Sequence, residues 1–205
     1  MTIRAAVIYM NDFLPINKKE CTQRGWNEVD FVYITGDAYV DHPSFGAAII
    51  TRVLEAKGFK IAVLSQPNWH SNADFMQFGK PRLGFLITSG NIDSMVAHYT
   101  AAKKIRRDDA YTAGGKAGKR PDRAVIVYSK IVKSIYPDTP VIIGGLEASL
   151  RRFAHYDYWD DAVRPSIIID SRADILIYGM GENQIIEIAE RLNRGEAVEE
   201  LTDIK

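Results

Sequence analysis

Four segments of the chain set small, polar and glycine residues directly after apolar runs. Asp37, Asp41 and His42 follow the run 30–35. Ser89, Asn91 and Asp93 follow 83–88. Gly144, Gly145 and Glu147 follow 141–143, and Gly179, Gly181 and Glu182 follow 175–178. Glycine lets backbone approach a ligand closely or take a positive φ. In an open parallel sheet, ligands bind beyond the carboxyl ends of the strands. Tight turns are needed there in any case, but four such ends at one edge point to a platform for a ligand or partner. These twelve residues are the candidate binding set. None is expected to be catalytic on this chain alone.

Other chemistry-bearing groups fit less well. Lys103, Lys104, Arg106, Arg107, Lys116, Lys119, Arg120 and Arg123 concentrate positive charge in the glycine-rich loop 103–123. Such a patch suits phosphate or RNA backbone, so a nucleic-acid or partner-binding module is the second functional reading. Tyr111 is the single aromatic inside it, which is poor provision for base stacking. The run Gly114-Gly115-Lys116-Ala117-Gly118-Lys119-Arg120 lacks the spacing of a phosphate loop, and Arg120 stands where Ser or Thr would hold magnesium. His155, Asp157, Asp160 and Asp161 have ligand-type side chains. Tyr and Trp interleave them and arginines are near, so an aromatic–ionic docking surface is the better reading. No serine nucleophile elbow is present, and His70 and His98 stand alone.

The elements that must position the candidate set are legible as alternating patterns. The runs 30–35, 60–64, 83–88, 141–143 and 175–178 are short, apolar and rich in Val, Ile, Phe and Tyr. They read as strands buried on both faces, as in a parallel sheet. Ser166–Ile169 reads as a sixth strand or an edge. Helical patterns run from a cap at Ser44 to about Lys57, over 94–106, from Pro121 to Tyr136, and over 182–193. Strands alternating with helices predict an α/β fold with a doubly wound, mostly parallel open sheet. The expected organisation is an N-terminal extension over 1–28, an α/β domain over 29–193 and a linker over 194–205.

Several longer strings carry a family resemblance. FLPINKKE, RGW, DFVYITGDAYVDHPSFGAAII, KPRLGFLITSGNIDSMVAHYTAAK, DDAYTAGGKAGKRPDRA, IIGGLEASLRRFAHYDYWDD and DSRADILIYGMGE resemble the YgiQ family of radical SAM proteins, from Phe13 onward. The resemblance implies a leading Rossmann-like, cobalamin-binding-like domain followed by a radical SAM barrel. That barrel would hold a [4Fe–4S] cluster through Cys-x-x-x-Cys-x-x-Cys and bind S-adenosylmethionine. The chain departs from the family in lacking the triplet: Cys21 is its one cysteine, and a cluster needs three thiolates. The chain is therefore expected to be the leading domain, a fragment or accessory piece that meets its radical SAM core beyond Lys205. That role is to cover the barrel and shape substrate access. Many cobalamin-binding domains carry Asp-x-His-x-x-Gly after the first strand. Here Asp41 and His42 are adjacent and Gly46 lies four residues on, so the spacing argues against a cobalt-ligating His42. No cofactor is expected on this chain.

Composition bounds these readings. The 205 residues are 46% hydrophobic and 25% charged, with a formal net charge of +0. A chain this long buries roughly 70% of its unfolded surface and needs no staple to fold. Neutral charge gives no global pull toward nucleic acid or anionic lipid. A lone cysteine excludes an internal disulfide. No apolar run approaches the ~20 residues of a membrane span, and no signal-peptide pattern opens the chain. A cytoplasmic protein is expected.

Overall fold

The structure is a computed structural model, and it describes residues 13–204. Its strands are β1 Phe31–Thr35, β2 Ile61–Ser65, β3 Gly84–Thr88, β4 Val141–Ile143, β5 His155–Asp157, β6 Ala162–Arg164 and β7 Ile175–Leu176. Its helices are α1 Lys18–Gln23, α2 Gly46–Ala56, α3 Ala73–Met76, α4 Ser94–His98, α5 Ala124–Ile135, α6 Gly145–Leu150, α7 Ile167–Ser171 and α8 Glu182–Asn193. Five strands form one parallel sheet in the order β2-β1-β3-β4-β7. β5 and β6 form a separate antiparallel hairpin. The expected α/β fold with a Rossmann-like, doubly wound open sheet is what the chain adopts. The strand order reverses between β1 and β3, the place where such sheets bind ligands.

Apolar character without alternation made these strands recognisable, and the reason is visible. Every residue of β1 and β3 is buried because both sheet faces are covered. Val32, Ile34, Phe85, Ile87 and Ile143 pack toward Phe75 of α3, Val125 and Tyr128 of α5 and Ile167 of α7. Phe31, Tyr33, Leu86 and Ile142 pack toward Ala47 and Leu54 of α2 and Ile185, Ile188 and Ala189 of α8. The segments outside the sheet also contribute. Leu14 and Cys21 are buried, and the Pro15 carbonyl accepts from the Val63 amide. Val198, Leu201 and Ile204 pack on the α2–α8 side.

Three local expectations are corrected. Ser166–Ile169 is not a strand. The Ser166 hydroxyl accepts from the Ile168 amide and caps α7, and Arg172 in the left-handed region ends it. Three isoleucines in a row signal burial, but the cap decides the conformation. The pattern over 94–106 is helical only to His98. Tyr99 is extended and bridges Ile105, with Lys103 at φ 57 turning the chain back. Ser44 does not cap α2; Phe45 holds that position and has no side-chain cap to give. The Asn91 Oδ1 reaches across from the loop after β3 and accepts from the Gly46 amide at 3.3 Å.

Candidate functional site

A cleft of about 240 Å3 opens at the carboxyl edge of the sheet, on the face covered by α2 and α8. Its floor follows from the register. Tyr33 pairs with Leu86, and Leu86 with Ile142, so the three side chains line up across adjacent strands on one face. Thr35 and Thr88 stand one pleat further along. Ala47 and Ile50 of α2 form one wall, and Ile185 of α8 with Ile177 forms the other.

Seven of the twelve candidate residues line this cleft: Asp37, Asn91, Gly144, Gly145, Gly179, Gly181 and Glu182. The strand ends therefore do converge. Gly145 has φ +81, and a Cβ there would collide with the Thr88 hydroxyl, so glycine is required. Isoleucines from both helices and Met180 reach past the strand ends and make the lining mostly apolar.

The other five serve the fold. Asp41 pairs with Arg52 of α2. His42 is exposed, and its Nδ1 accepts from the Ser44 amide at 3.1 Å. The Ser89 hydroxyl donates to the Ile92 carbonyl at 2.9 Å. Asp93 caps α4 through the Met95 and Val96 amides and pairs with Arg151. Glu147 is fully buried and accepts from the Ser94 amide and hydroxyl and from the Val125 amide, tying α4, α5 and α6 together. Burial raises the Glu147 carboxyl above its usual range, and Asp93 adds to the rise.

Next to the cleft, Asp37, Arg120 and Asp109 form a buried ion triad. Arg120 Nη2 lies 2.9 Å from Asp37 Oδ1 and 2.9 Å from Asp109 Oδ2, and its Nη1 donates to the Ser89 carbonyl at 2.8 Å. Gly36 sits beneath, where a Cβ would strike the Ser89 carbonyl. Asp37 Oδ2 accepts from the Asn91 amide at 2.7 Å and so bridges the switch point between β1 and β3. Burial pushes the Asp37 carboxyl up; the Asn91 amide and Arg120 oppose that without cancelling it.

The same geometry draws two cations of the basic loop inward. Arg120 is 1% exposed and engaged inside. Arg123 holds Asp157 at 2.9 Å and Asp160 at 3.0 Å. Lys103 lies over the Tyr158 ring at 4.6 Å. Two of the eight cations thus belong to interior or hairpin ion clusters, and the patch is weaker than its composition. Within 155–161, Asp157 and Asp160 are partnered by Arg123 and Arg164. Among the described residues no group of three potential metal ligands occurs.

Tyr33 and Thr35 were not singled out in the sequence, nor were the apolar walls. A period-two reading of 31–35 puts Phe31, Tyr33 and Thr35 on one face, which was the available signal. Tyr33 is 5% exposed, and its hydroxyl makes no hydrogen bond among the described residues. Burial, with Asp37 nearby, pushes its phenol well above the usual range.

The described residues do not fit a cluster or a cobalt-ligated corrin. Burial pushes the lone Cys21 thiol up, away from the thiolate that iron ligation needs. His42 is not among the residues lining the cleft. The cleft is also below the ~300–1,000 Å3 of sites for drug-sized molecules, which a corrin exceeds. Among the described residues no helix is long and apolar enough to cross a membrane.

A family model described as radical SAM N-terminal matches residues 13–205. A UPF0313 protein of Clostridium botulinum (strain 657) is 58% identical over 194 residues, covering 95% of this chain and 30% of the relative. A UPF0313 protein of Pseudomonas aeruginosa is 58% identical over 193 residues, covering 94% of this chain and 26% of the relative. One of Pseudomonas syringae is 56% identical over 193 residues, covering 94% and 25%. No solved structure matches. The chain spans less than a third of the length of these curated relatives. With a family model running over nearly all of its length, the chain belongs to the radical SAM N-terminal family and is an N-terminal domain of a radical SAM family protein.

Proposed function

We propose that this domain covers the radical SAM core of its parent protein, with the carboxyl edge of the sheet facing the barrel and helping to enclose the substrate. The core would carry the [4Fe–4S] cluster and S-adenosylmethionine, in the cytoplasm; this domain supplies shape and contacts.

The observation that carries the reading is an apolar rim beside the cleft. Leu150, Phe153, Tyr178 and Met180 are 60%, 69%, 64% and 86% exposed. They belong together: the Arg152 guanidinium lies 4.9 Å from the Phe153 ring and 5.4 Å from the Tyr178 ring. The Gly179 amide donates to the Ser149 hydroxyl, joining the 177–180 loop to α6. Clustered exposed apolar side chains mark interaction surfaces. About 70% of the length of the first relative lies outside the match, so the partner of this rim is sought in the same polypeptide.

Hydrogen exchange tests the reading. Amides of 144–153 and 177–181 are expected to exchange more slowly in the full-length parent than in this domain alone. Equal exchange there, with new protection over α5 instead, would place the core on the opposite face.

A further inference from the structure

We infer that the cleft between α2 and α8 is a binding pocket for a small, uncharged, mostly apolar molecule of one or two rings, oriented by a hydrogen bond to the Tyr33 hydroxyl. The inference deepens the covering role by naming the class of group the cleft would present toward the core, and it rests on that role only for that last step.

Size comes first. A cavity of about 150 Å3 lined by aliphatic side chains stays dry and takes up benzene. The cleft, at about 240 Å3, has room for a two-ring body. Its walls are made for one: Ile50, Leu86, Ile142, Ile177 and Ile185 meet there, and burying a ring against them is favourable at about 25 cal/mol per Å2 of apolar surface.

The polar groups then select the ligand. Tyr33 is a 5% exposed phenol that lines the cleft and has no partner among the described residues. A ligand oxygen or N–H in the cleft would give that hydroxyl a direct hydrogen-bond partner. The neighbouring polar side chains other than Glu182 are already engaged. Thr88 Oγ1 bonds the Gly90 amide, Asn91 caps α2, and Asp37 is held by Arg120 and the Asn91 amide. Tyr33 is thus the neutral side chain left to read the ligand.

Charge excludes the usual occupants of strand-end clefts. Asp37 and Glu182 both line the pocket. Arg120 is shared between Asp37 and Asp109, so the surroundings carry excess negative charge. A carboxylate or phosphate would be repelled, and a cation would lose its hydration against isoleucine walls. A neutral ring with one hydrogen-bonding group meets both conditions.

The test uses this chain with indole and phenol as probes, and benzoate and inorganic phosphate as charged controls, followed by backbone amide NMR shifts. Indole or phenol is expected to give saturable shifts at Gly144, Gly145, Gly179 and Gly181, and the charged controls to bind at least about tenfold more weakly. Tyr33→Phe, which keeps the ring and removes one oxygen, is expected to weaken indole binding about three- to tenfold. Ala47→Leu, which fills the wall, is expected to abolish it. Absence of saturable shifts with both neutral probes overturns the inference. So does tight binding of benzoate or phosphate, or Tyr33→Phe binding indole like the parent chain. None of these outcomes bears on core docking, which hydrogen exchange reads separately.

Discussion

Replacing Arg120 by Met probes the ion triad that holds residues 108–120 over the switch point. The side chain is fully buried and answers two buried carboxylates and one carbonyl. Methionine fills similar volume but leaves Asp37 and Asp109 without their cation. Breaking a buried pair by removing one partner costs about 3–5 kcal/mol. With a urea m-value of roughly 2 kcal/mol per M, the midpoint should fall by about 1.5–2.5 M, a large part of the 5–15 kcal/mol typical of a domain. The sign of the pH dependence follows from Asp37. Its folded-state pKa is raised by burial, against the opposing Asn91 amide and Arg120. For an acid raised on folding, stability falls as pH climbs from the unfolded pKa to the folded one. Removing Arg120 takes away one opposing influence, so the deficit of Arg120→Met should be largest above the raised Asp37 pKa and shrink as pH falls through it. Adding Asp37→Asn and Asp109→Asn should recover part of the loss. A midpoint shift under about 0.5 M, or a deficit that grows as pH falls, would refute the reasoning.

Two further outcomes are expected. Asn91→Ala removes the remote cap of α2 and its hydrogen bond to the Ser44 carbonyl; about 1 kcal/mol should be lost on urea denaturation, with hydrogen exchange quickening at Ala47 and Ala48. In the hairpin, burial works upward on Asp157, but the Arg123 hydrogen bonds outweigh it and its pKa is lowered. The stabilisation is therefore present above the ordinary aspartate pKa of about 3.9 and lost as pH falls through the lowered value, so on acidification NMR signals of 155–164 should shift only after those around Asp37, whose raised carboxyl protonates first.

How far the sequence could be read follows from the physics of each segment. The sheet was legible because strands buried on both faces must be apolar at every position, as β1 and β3 are. The convergence of the strand ends followed from the parallel order, and it brought Asp37, Asn91 and four glycines to one cleft. The side-chain roles did not follow. Asp93 and Glu147 resemble ligand groups in the sequence, yet they satisfy helix amides from α4 and α5. Arg120 looks like one more cation in a basic loop; its partners Asp37 and Asp109 lie 83 and 11 residues away in the chain, and only the fold brings the first of them close. Isoleucines at 167–169 carry burial information without direction, so the Ser166 cap was the better guide to α7. Tyr33 was hidden by its own context, a phenol inside an apolar strand that reads as packing.

The proposed docking of the carboxyl edge of this sheet against the radical SAM core is tested by a photocrosslinking amino acid at Met180 in the full-length parent. Met180 is 86% exposed on the cleft side, while Met76 of α3, 52% exposed, lies on the helix layer across the sheet beside α5. Crosslinks from position 180 to residues C-terminal of this domain are predicted. Crosslinks to the core from position 76 and none from position 180 would place the core on the opposite face.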